Sequence, residues 1–156
     1  MNPLPHLDAE GRPQMVDIGE KADTERVAIA EGYLRCNEAA WSAIAERRVK
    51  KGDVLLIAEL AGVQGAKRAS DLIPLCHPLP LDAVNVQVEL VPGGVHVRAR
   101  VSTRWRTGVE MEALAATNAA LLCVYDMVKS LDRSMVLDGI TLLHKSGGRS
   151  GTYNRA

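Results

Sequence analysis

The 156 residues are 47% hydrophobic and 24% charged, with 19 Lys and Arg balancing 19 Asp and Glu. That composition suits one globular domain with its own core and excludes a disordered chain. Charge neutrality argues against a general nucleic-acid or membrane-surface binder, and two Trp, three Tyr and no Phe leave little to stack single-stranded RNA upon.

The first stretch, "MNPLPHLDAEGRP", lacks the basic and apolar regions of a signal peptide and reads as a flexible arm over residues 1–14. "ERVAIAEGYLRC" favours an extended strand through its branched residues. Asn37 is a good N-cap for "EAAWSAIAERRV", and Asp53 for the next helix, "VLLIAELAGVQGAKRASDLI", whose Leu56, Leu60, Val63 and Ala66 form a helical stripe. Pro74 and Pro78 forbid further helix, so "PLCHPLP" is a turn or extended segment. "AVNVQVELV" and "VHVRARVS" alternate strictly around "PGG", which predicts an antiparallel hairpin. An alanine-rich helix, "EMEALAATNAALLCVYDMVKSLD", and a last strand, "SMVLDGITLLHKS", follow, with 152–156 as a tail. With one helix set aside, the order is β-α-β-β-α-β, the ferredoxin-like split arrangement: an α+β domain over 1–156 with an antiparallel sheet and helices on one face.

Cys36, Cys76 and Cys123 form no CxxC pair, and unpaired thiols suit a reducing cytosol. No apolar run reaches the roughly 20 residues of a membrane span, so a soluble, cytoplasmic protein is expected. His6, His77, His96 and His144 show none of the spacings zinc requires, and no metal site is expected. His96, on the hairpin, is expected to face solvent. Cys76 and His77 are adjacent in an extended segment and so point to opposite faces, which disfavours a nucleophile–base pair. Cys76 reads as a small packing residue. The glycines of "GVQGAKR" suit close helix packing, while Lys67 and Arg68 are either a solvated end or a phosphate contact.

Asp126 and Lys129 share a helix face among apolar neighbours, and partial burial there would prepare the lysine for proton transfer. Glu110 and Glu112 would lie on opposite sides of a helix, or on one side of an extended lead-in. "HKSGGRSG" sets Lys145 and Arg149 around glycines whose amides can face an anion.

Together, "MVDIGEK", "KGDV", "AGVQGAKRASDLIPLCHPL", "TGVEMEALAATNAALLCVYDMVKSLD" and "LLHKSGGRSG" resemble the cyclic pyranopterin monophosphate synthase family, the molybdenum cofactor biosynthesis protein C family, over roughly residues 15–151. The resemblance implies a ferredoxin-like lyase, without redox cofactor, that converts 3′,8-cyclo-7,8-dihydro-GTP into cyclic pyranopterin monophosphate and pyrophosphate. It implies hexamers built from dimers, with interfacial active sites. By the same resemblance Asp126, Lys129 and Lys51 are catalytic, and Leu75, Cys76, His77, Met111, Glu112 and Lys145 contact substrate. Arg149 stands where the family commonly has lysine. Lys67, His77, Lys145 and Arg149 would then neutralise the triphosphate, and Glu112 would accept from the purine's N–H groups.

Glu112 and Asp126 lie fourteen residues apart on one helix, about 21 Å at about 1.5 Å per residue. One small substrate cannot touch both within one subunit, so if both serve one site, a neighbouring chain supplies one of them. The competing expectation is a ligand-binding regulatory module of the same fold. An RNA-binding domain of this topology is disfavoured by the missing aromatics.

Overall fold

The computed structural model describes residues 6–156. β1 (Thr24–Arg35) leads through α1 (Glu38–Ala45), α2 (Val54–Lys67) and α3 (Ala69–Leu72) to the hairpin of β2 (Ala83–Val91) and β3 (Gly94–Trp105). α4 (Glu110–Val128), β4 (Val136–Ser146) and a short β5 (Tyr153–Asn154) complete the chain. The five strands form one antiparallel sheet in the order β2-β3-β1-β4-β5. With β5 set aside, that is the ferredoxin-like order, as the sequence predicts.

Period-two alternation decides which face is covered. Ala28, Ala30 and Leu34 of β1 and Val95, Val97, Ala99 and Val101 of β3 are fully buried beneath the helices. Between them, Arg98, Arg100 and Arg104 point to the exposed opposite face. The two predicted caps are present: Asn37 Oδ1 accepts from Ala40 N at 2.9 Å, and Asp53 Oδ1 from Leu56 N at 3.1 Å. The predicted second helix breaks at Arg68 into α2 and the one-turn α3.

α2 and α4 run antiparallel with small residues between them. A Cβ at Gly65 would lie 2.5 Å from Ala119 Cβ and 2.8 Å from the Ala115 carbonyl oxygen, so only glycine permits this approach. α4 corrects one expectation. The residues of an 18-residue window within its 19, with mean hydropathy 1.3, match a membrane span in length and composition. They do so because the helix carries Ala113, Ala116, Ala120, Leu121 and Val124 into the core, and over half of it is buried within the fold.

His96 is a second correction. It stacks on Tyr33 with ring centroids 4.6 Å apart, and its Nε2 lies 3.0 Å from Glu31 Oε2. The register pairs His96 with Tyr33 across β1 and β3, which brings the rings together. The arm also has structure in its described part. Asp8 Oδ1 accepts from the amides of Glu10 and Arg12, and Leu7 bridges Pro13; residues 1–5 lie outside the described residues. In the tail, β5 pairs with His144 and Lys145.

Candidate active site

The C-terminal end of α4 meets the α1–α2 loop. There Gly52 takes φ +117°, a conformation open to glycine, and turns the chain between Lys51 and the cap Asp53. Lys51 Nζ donates to the Asp126 main-chain oxygen at 2.7 Å and to Oδ2 at 3.1 Å; Lys129 Nζ donates to Oδ1 at 2.7 Å. The three residues the sequence nominates as catalytic therefore converge on one carboxylate. The lysines' hydrogen bonds and charges, Lys129 first, hold the Asp126 carboxyl below its ordinary range. One expectation fails here. The side chains of Lys129 and Asp126 are 50% and 58% exposed, because they project past the last turn of α4 rather than into its apolar face. Burial within this chain therefore does not prepare Lys129.

The opposite end of α4 closes a cleft. One lobe, about 680 Å³, is lined by Leu75, Cys76, His77, Met111, Glu112 and Arg149 together with the strap of residues 16–21. Glu112 is only 3% exposed, and burial is the main cause raising its carboxyl. Helix α4 begins at Glu110, so the extended lead-in does not exist, yet both Glu110 and Glu112 still reach this lobe. Cys76 Sγ lies 3.6 Å from Glu112 Oε1, and His77 Nε2 lies 2.6 Å from the Val16 carbonyl oxygen. The two adjacent side chains have different partners, as an extended segment requires, but line one lobe. The Cys76 thiol is pushed up to about 11 by burial and then by Glu112, which removes it further from nucleophilic use.

A second lobe, about 1100 Å³, adjoins the first through Asp17, Lys21, Thr107, Gly108, Glu110 and Arg149. Arg26 and Arg106 face it. Arg26 is held there by Nε–H to Thr24 Oγ1 at 2.7 Å and by an N–H to the Arg106 carbonyl at 3.3 Å. Lys21, Arg26 and Arg106 are absent from the nominated set. Arg26 leaves a trace in the sequence, because it breaks the inward series of Ala28, Ala30, Gly32 and Leu34.

Lys67 and Lys145 stand at this same end, outside the lining of either lobe. Lys67 closes α2, whose Gly65 lies against Ala115 near the start of α4. Lys145 Nζ donates to Ser150 Oγ. Among the described residues, no cluster of three His, Cys, Asp or Glu side chains can hold a metal ion.

A carboxylate clamped by two ammonium groups, and a cleft that joins a buried acid to converging cations, are the equipment of an enzyme acting on a small molecule. The MoaC family model matches residues 15–148. The chain is 52% identical to a cyclic pyranopterin monophosphate synthase of Novosphingobium aromaticivorans, over all of this chain and 99% of that protein. It is 50% identical to the synthase of the same name from Helicobacter pylori strain HPAG1, over 97% of this chain and 98% of the relative. The chain belongs to the MoaC family.

Proposed function

We propose that this chain is a cyclic pyranopterin monophosphate synthase, a lyase that converts 3′,8-cyclo-7,8-dihydro-GTP into cyclic pyranopterin monophosphate and pyrophosphate in molybdenum cofactor biosynthesis. The observation that carries the reading is the convergence of Lys51 and Lys129 on Asp126 in a chain of this family. The chemistry opens the purine's five-membered ring, rebuilds it as a pterin, and drives an intramolecular attack on the α-phosphate that expels pyrophosphate. Each step moves protons and gathers negative charge. Lys51 and Lys129 serve the proton transfers. Asp126, held ionised by them, orients both amines rather than acting as the base.

Glu112 accepts from the ring's N–H groups, with Leu75 and Met111 as apolar walls. His77, Arg149, Lys67 and Lys145 neutralise the phosphates, joined by Lys21, Arg26 and Arg106. The two groups of residues occupy opposite ends of α4, about 21 Å apart between Glu112 and Asp126 at about 1.5 Å per residue. A second copy that brings its Asp126 cluster to this chain's cleft completes the site. We therefore read the protein as a homo-oligomer, a hexamer built from dimers with interfacial sites, working in the cytoplasm.

The test is turnover of the cyclised nucleotide, followed by oxidation and pterin fluorescence. Wild-type protein should give fluorescence. Lys51→Ala should give none while eluting as the same oligomer, and near-normal turnover by that variant refutes the assignment. Binding without fluorescence by the wild type would favour the regulatory module instead.

A further inference from the structure

The family resemblance makes Cys76 a substrate contact, yet the chemistry above gives it no step, and its surroundings are specific. Its sulfur has two near oxygens, both acceptors: Glu112 Oε1 at 3.6 Å and the His77 carbonyl at 3.8 Å. A sulfur between two acceptors must carry its proton, and the nearer acceptor belongs to the buried carboxylate. Among the described residues no cation bonds Glu112, and beside its own main-chain N–H the Cys76 thiol is the only side-chain donor that reaches it. A carboxylate this deeply buried needs donors to remain both charged and oriented.

We propose that Cys76 is a positioning residue for Glu112. Its S–H donates to Oε1 and fixes the carboxylate plane, so that the remaining lone pairs meet the paired N–H and amino donors of the guanine-derived ring. The proline-stiffened segment around it supplies the rigidity. Pro74 and Pro78 flank Leu75–His77, and Cys76 N donates to the Ile73 carbonyl at 3.1 Å. The thiol is thus delivered from a fixed backbone to the first turn of α4, where the helix dipole also favours the carboxylate. This deepens the proposed function and rests on the cleft being the substrate's pocket.

The direction of each effect follows from the chemistry. Cys76→Ala removes the donor, so Glu112 binds its proton more tightly and turns more freely. KM for the cyclised nucleotide should rise about tenfold, equivalent to about 1.4 kcal/mol, with kcat within about threefold of wild type, since the contact serves binding. The acid limb of kcat/KM should move to higher pH, because the ionised form of Glu112 is reached later. His6, Asp17, Lys21, His77, Glu110 and Arg149 line the same lobe and remain present in every variant, so their own titration is common to all curves. Cys76→Ser keeps a donor and should restore KM to within about threefold, with the acid limb near its wild-type position.

Full-length wild type, Cys76→Ala, Cys76→Ser, Glu112→Gln and the double variant Cys76→Ala/Glu112→Gln are assayed for KM, kcat and pH profile. In the Glu112→Gln background the Cys76→Ala effect should vanish. Equal KM and superimposed pH profiles for the Ala and Ser variants overturn the proposal, as does an undiminished Cys76→Ala effect in the Gln background. If wild type itself makes no pterin, the proposed function fails and takes this inference with it. Wild-type turnover combined with either overturning pattern refutes the inference alone.

Discussion

Gly65→Ala tests whether the α2–α4 seam is as tight as the structure makes it. The added Cβ would stand 2.5 Å from Ala119 Cβ and 2.8 Å from the Ala115 carbonyl oxygen. Carbon atoms prefer about 3.5–4.0 Å, so the helices must part by roughly 1 Å, and the oxygen belongs to a main chain that cannot swing aside. Overpacking of this kind costs about 1–3 kcal/mol. Against it stands the higher helix propensity of alanine, about 1 kcal/mol. A gap of that width also forfeits a quarter to a half of the dispersion energy of each contact along the seam, by roughly the same rule of well depth. The clash outweighs the propensity, and a net loss of about 2 kcal/mol should lower Tm by about 4–8 °C for a chain of this size. Gln64→Ala is the control. It is the exposed neighbour on the same helix, and its Tm should stay within about 2 °C of wild type. Thermal unfolding followed by circular dichroism reads both. A Gly65→Ala protein that melts at or above the wild-type temperature refutes the packing argument.

Asp126→Asn keeps the shape of the side chain but removes the charge that both amines share, so turnover should collapse while calorimetry still detects nucleotide binding; lost binding would contradict the orienting role. Asp132 is buried and accepts from Ser134 Oγ, Ser134 N and Asn37 N, with Ser134 first among the causes that lower its carboxyl. A depressed folded-state pKa means that the folded form gives up its proton more readily than the unfolded one. Its contribution is therefore present above the unfolded carboxylate pKa of about 3.9 and lost as pH falls through the folded value. Asp132→Asn should be less stable than wild type in urea at neutral pH and approach it in acid. A stability gap independent of pH counts against that linkage.

Much of the fold could be read from local rules because those rules agree with one another along this chain. The β2–β3 hairpin shows two alternating runs around "PGG", and its register leaves no slip. Asn37 and Asp53 cap where their side chains oblige them to. Lys51, Asp126 and Lys129, proposed as catalytic, were nominated through family motifs, but their exposure was not legible. An apolar neighbourhood in sequence suggested burial, whereas rotation about α4 turns Val124, Met127 and Val128 inward and Asp126 and Lys129 outward. Arg106 and Lys21 were illegible for another reason. They reach the cleft from a loop and from the strap before β1, positions set by tertiary placement rather than by any period. The pairing of His96 with Tyr33 and Glu31 likewise requires knowing which strand lies beside β3.

The trio's geometry also weighs against a purely structural origin. Exposed ion pairs stabilise a fold little, since solvent screens them and two long side chains must be ordered. Three such charges at one helix end are therefore a poor stability device. Yet the backbone around them is fastened from several directions. Asp132 accepts from Asn37 N at 2.7 Å, Asn37 Nδ2 donates to the Leu131 carbonyl at 3.3 Å, and Asn37 caps α1. α1 leads directly into the loop that carries Lys51. Tyr125 Oη donates to the Arg133 carbonyl at 3.0 Å and ties the loop after Lys129 back onto α4. Rigid main chain beneath solvent-facing charges is what an acid–base cluster needs when its substrate arrives from outside the subunit. The same charges, shielded by an incoming surface, would gain the desolvation that this chain alone does not give them. In the proposed oligomer, the exposure that contradicts burial within one chain would be the condition for burial between two.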